Sequence, residues 1–231
     1  MRWLAIVVAG LWGGVVSVQA QAGAGAAGAV KLTGHVTILE KDNKPSPDLG
    51  DAVVYLEGQG NGARPAHQQV TISDKTFTPH VLVVPLGSTV TFPNHDPFDH
   101  NVFSASEANI FDLGLYGRGE GKSFVFSAPG LVRVYCNVHP RMAAFIYVMP
   151  NRWYTQPGAD GTFTIANVPP GTYRIHVWHE RAPAEVVKDV TVTAQGSEDL
   201  VVALNARGFK WQAHKNKYGR DYPTNAGRER Y

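Results

Sequence analysis

The chain has 231 residues, a net charge of +2, 24 Gly, 15 Pro and one Cys. That length holds one large or two small domains with real cores, and a lone cysteine excludes an internal disulfide. Long helical periodicity is nearly absent, so short Val-, Ile-, Thr-, Tyr- and Phe-rich runs broken by Gly, Pro and Asn predict an all-β protein.

Residues 1–20 read as a secretory signal. Met1-Arg2 is a short basic start, Trp3 to Val18 is mostly apolar, and Val18-Gln19-Ala20 is a small-residue cleavage site. The competing reading is a membrane anchor, but the apolar stretch is short and broken by glycines. A periplasmic or otherwise exported protein is expected. No later segment is apolar enough to span a bilayer.

Residues 21–29 (QAGAGAAGA) form an Ala/Gly linker with nothing to bury. Residues 30–58 then supply two strand candidates, VKLTGHVTILE and AVVYLEG, followed by a Gly-rich break. Across 66–150 the strand rhythm is regular. QVTISD, HVLVVP, STVTFP, HNVFS, KSFVFS, LVRVYC and AAFIYVM fit a small Greek-key sandwich. The stretch 105–121 reads as irregular, a link between two strands that crosses from one sheet to the other. Residues 151–204 supply further strands around the turn Asn167-Val168-Pro169-Pro170-Gly171. Four strands alone make a thin sandwich, which the pair in 30–58 would complete.

Residues 205–231 form a basic tail with seven Lys or Arg against two acids, whereas residues 21–204 carry 13 against 17. Basic and aromatic residues interleave in RGFKWQAHKNKYGRDYP. An exported protein rarely meets nucleic acid, so no nucleic-acid partner is expected. A solvated tail, one docked on an acidic partner or a membrane surface, and one packed back on the body all remain open.

Cys136 lies in YCNVHPRM, which places Cys136, His139 and Met142 on one short loop at C-x2-H-x2-M spacing. The run FPNHDPFDHNVFS supplies His100 from a second loop. Two imidazoles, a thiolate and a weak axial thioether are the ligands of a mononuclear type 1 copper site. In an oxidising compartment, coordination would also protect a free thiol. Each residue alone has a plainer reading: an inert core Cys, a surface His, a gap-filling Met. His95 competes with His100 for the upstream position, while Asp96 and Asp99 read as loop caps. Zinc also accepts a His2Cys set, but a structural zinc site normally has four strong ligands. His176 and His179, three apart on a strand, point to opposite faces and make a poor second site.

The run STVTFPN followed by His100-Asn101, and then APGLVRVYCNVHPRM, resembles the cupredoxin family, and its C-x2-H-x2-M spacing is most similar to amicyanins. The resemblance implies one type 1 copper held by His100, Cys136, His139 and Met142. It also implies that Asn101 ties the first ligand loop to the cysteine loop, and that the exposed edge of His139 is an electron port. Residues 151–204, through DGTFTIANVPPGTYRIHV, resemble a carboxypeptidase-regulatory or transthyretin-like module of prealbumin type. Residues 30–58 resemble its first two strands, so the module would be split around the copper domain. The whole order resembles periplasmic proteins of the methylamine-utilisation type.

The function implied is one-electron transfer with a redox protein partner. The alternative is a non-redox binding or interaction protein whose copper site serves copper handling or is vestigial. Three Met in the whole chain give copper trafficking little support. The H-x-H pairs of multicopper oxidases and copper nitrite reductases do not occur in the sequence, so no enzymatic activity is expected.

Overall fold

A computed structural model of the protein describes residues 28–41, 44, 46–58, 62–197 and 199–223. The expected signal at 1–20, most of the linker and the last residues of the tail lie outside the described residues. Strands β1 (Val30–Leu39) and β2 (Val53–Leu56) come first. They are followed by β3 (His67–Gln69), β4 (Thr71–Ser73), β5 (Thr76–Thr78), β6 (Val81–Pro85), β7 (Thr89–Asn94) and β8 (His100–Ser104). Then come β9 (Phe111–Tyr116), β10 (Gly119–Val125), β11 (Gly130–Tyr135) and β12 (Ala143–Met149). The last are β13 (Tyr154–Thr155), β14 (Thr162–Val168), β15 (Gly171–Trp178), β16 (Val186–Val192) and β17 (Leu200–Asn205). The protein is all-β.

Two sheets bring together strands from the two ends of the chain. One has the order β14-β1-β17 and the other β13-β2-β15-β16. Alternation along β1 sends Leu32, Val36 and Ile38 into a core shared with Val54, Leu56, Phe163, Ile165, Ile175, Val177, Val202 and Leu204. Gly34 allows the neighbouring chains to close in: a Cβ there would meet the Leu200 carbonyl at 2.5 Å and the Phe163 ring at 2.6 Å.

The middle of the chain forms a second pair of sheets. One runs β10-β7-β4-β5, with β3 also on β7, and the other runs β6-β12-β11-β8-β9. Val70, Ile72, Phe77, Val90, Phe92, Val102, Phe126, Val132, Val134 and Ile146 fill the space between them. Burying each such side chain contributes about 1.5–3 kcal/mol. The segment 105–121 does cross between the sheets, since β9 pairs with β8 and β10 with β7. It is more regular than its sequence indicates, because it contains β9. Gly114, at φ +72°, and a register shift between Asn101 and Phe103 interrupt the alternation that would have marked that strand.

Strand β12 shows how the two halves meet. Six of its seven residues are buried, because both faces are covered. Ala144, Ile146 and Val148 face the inter-sheet core, while Phe145, Tyr147 and Met149 pack with Val53, Val81 and Trp178. Polar contacts reinforce this second cluster. Tyr55 and Tyr147 both donate to Glu185, and His80 Nε2 lies 2.7 Å from Glu180 Oε1.

Candidate metal centre

The register of the β-sheet brings the two segments that carry the candidate ligands to one end. Strands β11 and β12 pair from Gly130↔Val148 to Tyr135↔Ala143, so residues 136–142 must form a tight connecting loop. The loop is closed by Cys136 N–H donating to the Met142 carbonyl (3.2 Å) and Met142 N–H to the His139 carbonyl (3.1 Å). Tyr135 pairs with Phe103 of antiparallel β8. Steps past Tyr135 therefore move towards His100, the first residue of β8.

The result is a convergent, buried donor set. Cys136 Sγ lies 3.8 Å from His100 Nδ1 and 3.5 Å from His139 Nδ1. His100 and Cys136 are fully buried and His139 is 5% exposed. Among the described residues, these three form the group of His, Cys or acidic side chains with metal-ligand spacing. Metal bonds of about 2.0 Å to nitrogen and 2.3 Å to sulfur in a trigonal plane place N and S about 3.7 Å apart. The observed separations bracket that value, so the residues fit a soft or borderline metal ion. Met142 is 2% exposed and packs in the same apolar cluster as Cys136.

The His100 imidazole is aimed by its surroundings. His100 Nε2 is 2.8 Å from Asp96 Oδ2. The Asp96 carboxylate also accepts the N–H groups of Asp74 (2.7 Å) and Lys75 (3.0 Å). Those two residues have φ of +52° and +56°, a turn that presents consecutive amides to one acceptor. Burial raises the Asp96 pKa, but the Lys75 amide, His100 and the Asp74 amide together hold it below the usual carboxylate value. An ionised carboxylate only accepts, so the proton sits on Nε2 and the Nδ1 lone pair faces the sulfur. The Val138 N–H donates to Cys136 Sγ at 3.4 Å, which favours thiolate. Phe98 sits against both imidazoles, with ring centroids 5.2 Å from His100 and 5.9 Å from His139.

Other residues singled out in the sequence lie elsewhere. His95 is exposed, and its backbone makes the hydrogen bonds: its N–H donates to the Ile72 carbonyl and its carbonyl accepts from Arg118. Asp96 caps a turn as expected, yet it also orients His100, a role that its sequence context did not reveal. Asn101 does not reach the cysteine loop directly. Its Nδ2 donates to Asp112 Oδ1 (2.6 Å), and Lys217 Nζ donates to the other Asp112 oxygen (2.6 Å). Lys217 N–H in turn donates to Asn137 Oδ1 at 2.9 Å. His139 was expected to offer an exposed edge and is nearly buried instead, with Phe98 beside it. His176 stacks on Tyr55 and bonds Glu185, while His179 is buried 3.6 Å from Asp48.

The geometry gathers a buried His2Cys donor set at one end of a β-sandwich. Among solved structures, a purple cupredoxin from Nitrosopumilus maritimus is 26% identical over 36% of this chain and 99% of its own, with a TM-score of 0.33. A reduced Cu(I) amicyanin variant is 19% identical over 42% of this chain and 98% of its own, with a TM-score of 0.34. A copper-containing nitrite reductase from Thermus scotoductus is 25% identical over 50% of this chain and 28% of its own, with a TM-score of 0.35. Residues 152–200 match the family model of polysaccharide lyase family 4, domain II. The sequence resemblance in that region was to a carboxypeptidase-regulatory or transthyretin-like module. No curated protein matches the chain.

Proposed function

We propose that this is an exported type 1 copper protein that carries one electron between redox partners and is not an enzyme. The carrying observation is the convergence of His100 Nδ1 and His139 Nδ1 on a buried Cys136 Sγ, at separations suited to three ligands of one ion.

A bound copper ion would supply a one-electron couple between Cu(I) and Cu(II). His100, Cys136, His139 and Met142 would hold it through two imidazoles, a thiolate and a thioether. The chain does the remaining work. The β11–β12 loop fixes three of these residues on a rigid sheet end, which limits rearrangement when the charge changes. Asp96 holds the His100 lone pair inward, and Val138 N–H tempers the electron-donating power of the sulfur. The apolar core around Cys136 and Met142 excludes water. His139, with Phe98 and Pro140 half-buried beside it, is the side of the centre from which a partner would take the electron. The sandwich built from β1, β2 and β13–β17 would serve as scaffold or partner surface.

The test is visible absorption and EPR of residues 21–231 after Cu(II) addition, beside Cys136→Ser. An intense thiolate-to-copper band with narrow copper hyperfine splitting, both lost in the variant, supports the reading. A colourless product or an ordinary Cu(II) spectrum overturns it in favour of a non-redox binding module.

A further inference from the structure

The described part of the basic tail returns to the candidate metal centre and contacts its surroundings repeatedly. Tyr222 O–H donates to the Cys136 carbonyl at 2.6 Å. Lys217 N–H donates to Asn137, next to Cys136. The His214 ring stacks on Tyr135, on the other side of Cys136, with centroids 4.2 Å apart and planes at 13°. Lys217 Nζ reaches Asp112, which holds Asn101, next to His100. Arg141, the neighbour of Met142, lies over the Trp211 ring at 5.1 Å.

The segment is built to make these contacts together. Asn216 Oδ1 accepts the N–H groups of Tyr218 (3.0 Å) and Arg220 (3.1 Å), and Asn216 N–H donates to the Arg220 carbonyl (2.8 Å). Gly219 takes φ +73°, and Lys215 pairs with Asp221. This turn brings Tyr222 back against His214, with ring centroids 5.3 Å apart. Ordering nine residues costs backbone entropy that a solvated tail would keep, and the contacts that offset it fall on neighbours of the metal-ligand candidates.

We propose that residues 214–222 form a strap that belongs to the metal centre. In it Lys217, through Asp112 and Asn137, joins the two ligand-bearing loops, and Tyr222 holds the backbone of Cys136. Lys217 and Tyr222 are positioning residues: they touch no metal-binding atom but fix the loops that carry those atoms. The link that Asn101 was expected to make directly between the loops is made here through the strap. The metal-directed part rests on the copper reading above; the clamping of the loop does not.

The experiment uses Tyr222→Phe, which removes one oxygen, with Lys217→Met and its conservative control Lys217→Arg. In the metal-free full chain, amide hydrogen exchange is followed at Val138 and Met142 in the loop and at Val132 and Ile146 in the sandwich core. The strap predicts exchange about tenfold faster at the loop amides in Tyr222→Phe and Lys217→Met, as expected for losing one hydrogen bond. The core amides stay unchanged, and Lys217→Arg recovers most of the loss. After Cu(II) loading, the same two variants lose copper to a chelator about tenfold faster and show altered EPR hyperfine splitting. Loop exchange and copper loss within about twofold of the unaltered protein would overturn the proposal. Faster loop exchange in a chain that binds no copper would leave the clamp standing and remove the copper reading.

Discussion

Asp96 and His100 face each other at 2.8 Å in the interior, the carboxylate being held by two further backbone amides and the imidazole fully buried. The pair decides which nitrogen of His100 is offered to the centre. Asp96→Ala leaves a buried N–H and two backbone amides without an acceptor. We expect about 1–3 kcal/mol lower stability in denaturant unfolding of the metal-free protein. Copper affinity by chelator competition should fall about 10–100-fold.

The ligand roles separate by substitution. His100→Ala should abolish the blue band, whereas His95→Ala should leave it nearly unaltered, because His95 is exposed and outside the donor cluster. Met142→Leu fills a similar volume and should keep the colour while shifting the reduction potential in protein-film voltammetry. A swap of the two histidine effects would refute the assignment of His100.

His80 and Glu180 join the two halves of the molecule at 2.7 Å. Burial pulls the His80 pKa down, but the Glu180 hydrogen bond and charge outweigh it and hold the value above the ordinary histidine range. A histidine whose pKa is raised on folding stabilises the fold fully below its unfolded value, about 6.5. That contribution fades as pH rises through the higher folded value. Stability measured by thermal unfolding should therefore drop as pH rises from about 6 towards 8. Glu180→Gln should flatten that slope.

Gly34 marks a close approach in the sandwich formed by β1, β2 and β13–β17. A methyl group there would press on the Leu200 carbonyl and the Phe163 ring. Gly34→Ala should cost about 1–3 kcal/mol in urea unfolding. It should not alter the copper spectrum, because β1 shares no sheet with β8, β11 or β12.

Much of this was legible in the residues. Alternation in STVTFP and LVRVY marks strands, and the run carrying Cys136, His139 and Met142 reads as a short loop between two of them. The irregular look of 105–121 hid β9, because a glycine and a bulge break its alternation. The site's supports were hidden for a different reason. Asp96 reads as a turn residue, and only the fold shows its second oxygen on His100. Lys217 and Tyr222 lie 75 or more residues from the ligands, in a segment whose composition equally fits a solvated tail. No local pattern encodes a contact between Tyr222 and Cys136. It depends on β17 ending where the tail can reach the β11–β12 loop.

The most direct test of the central claim is X-ray absorption fine structure at the copper edge of the loaded protein. One short sulfur scatterer from Cys136 and two imidazole nitrogens are expected, with the sulfur shell lost in Cys136→Ser. A shell of nitrogen and oxygen alone, unaltered in Cys136→Ser, would contradict the claim.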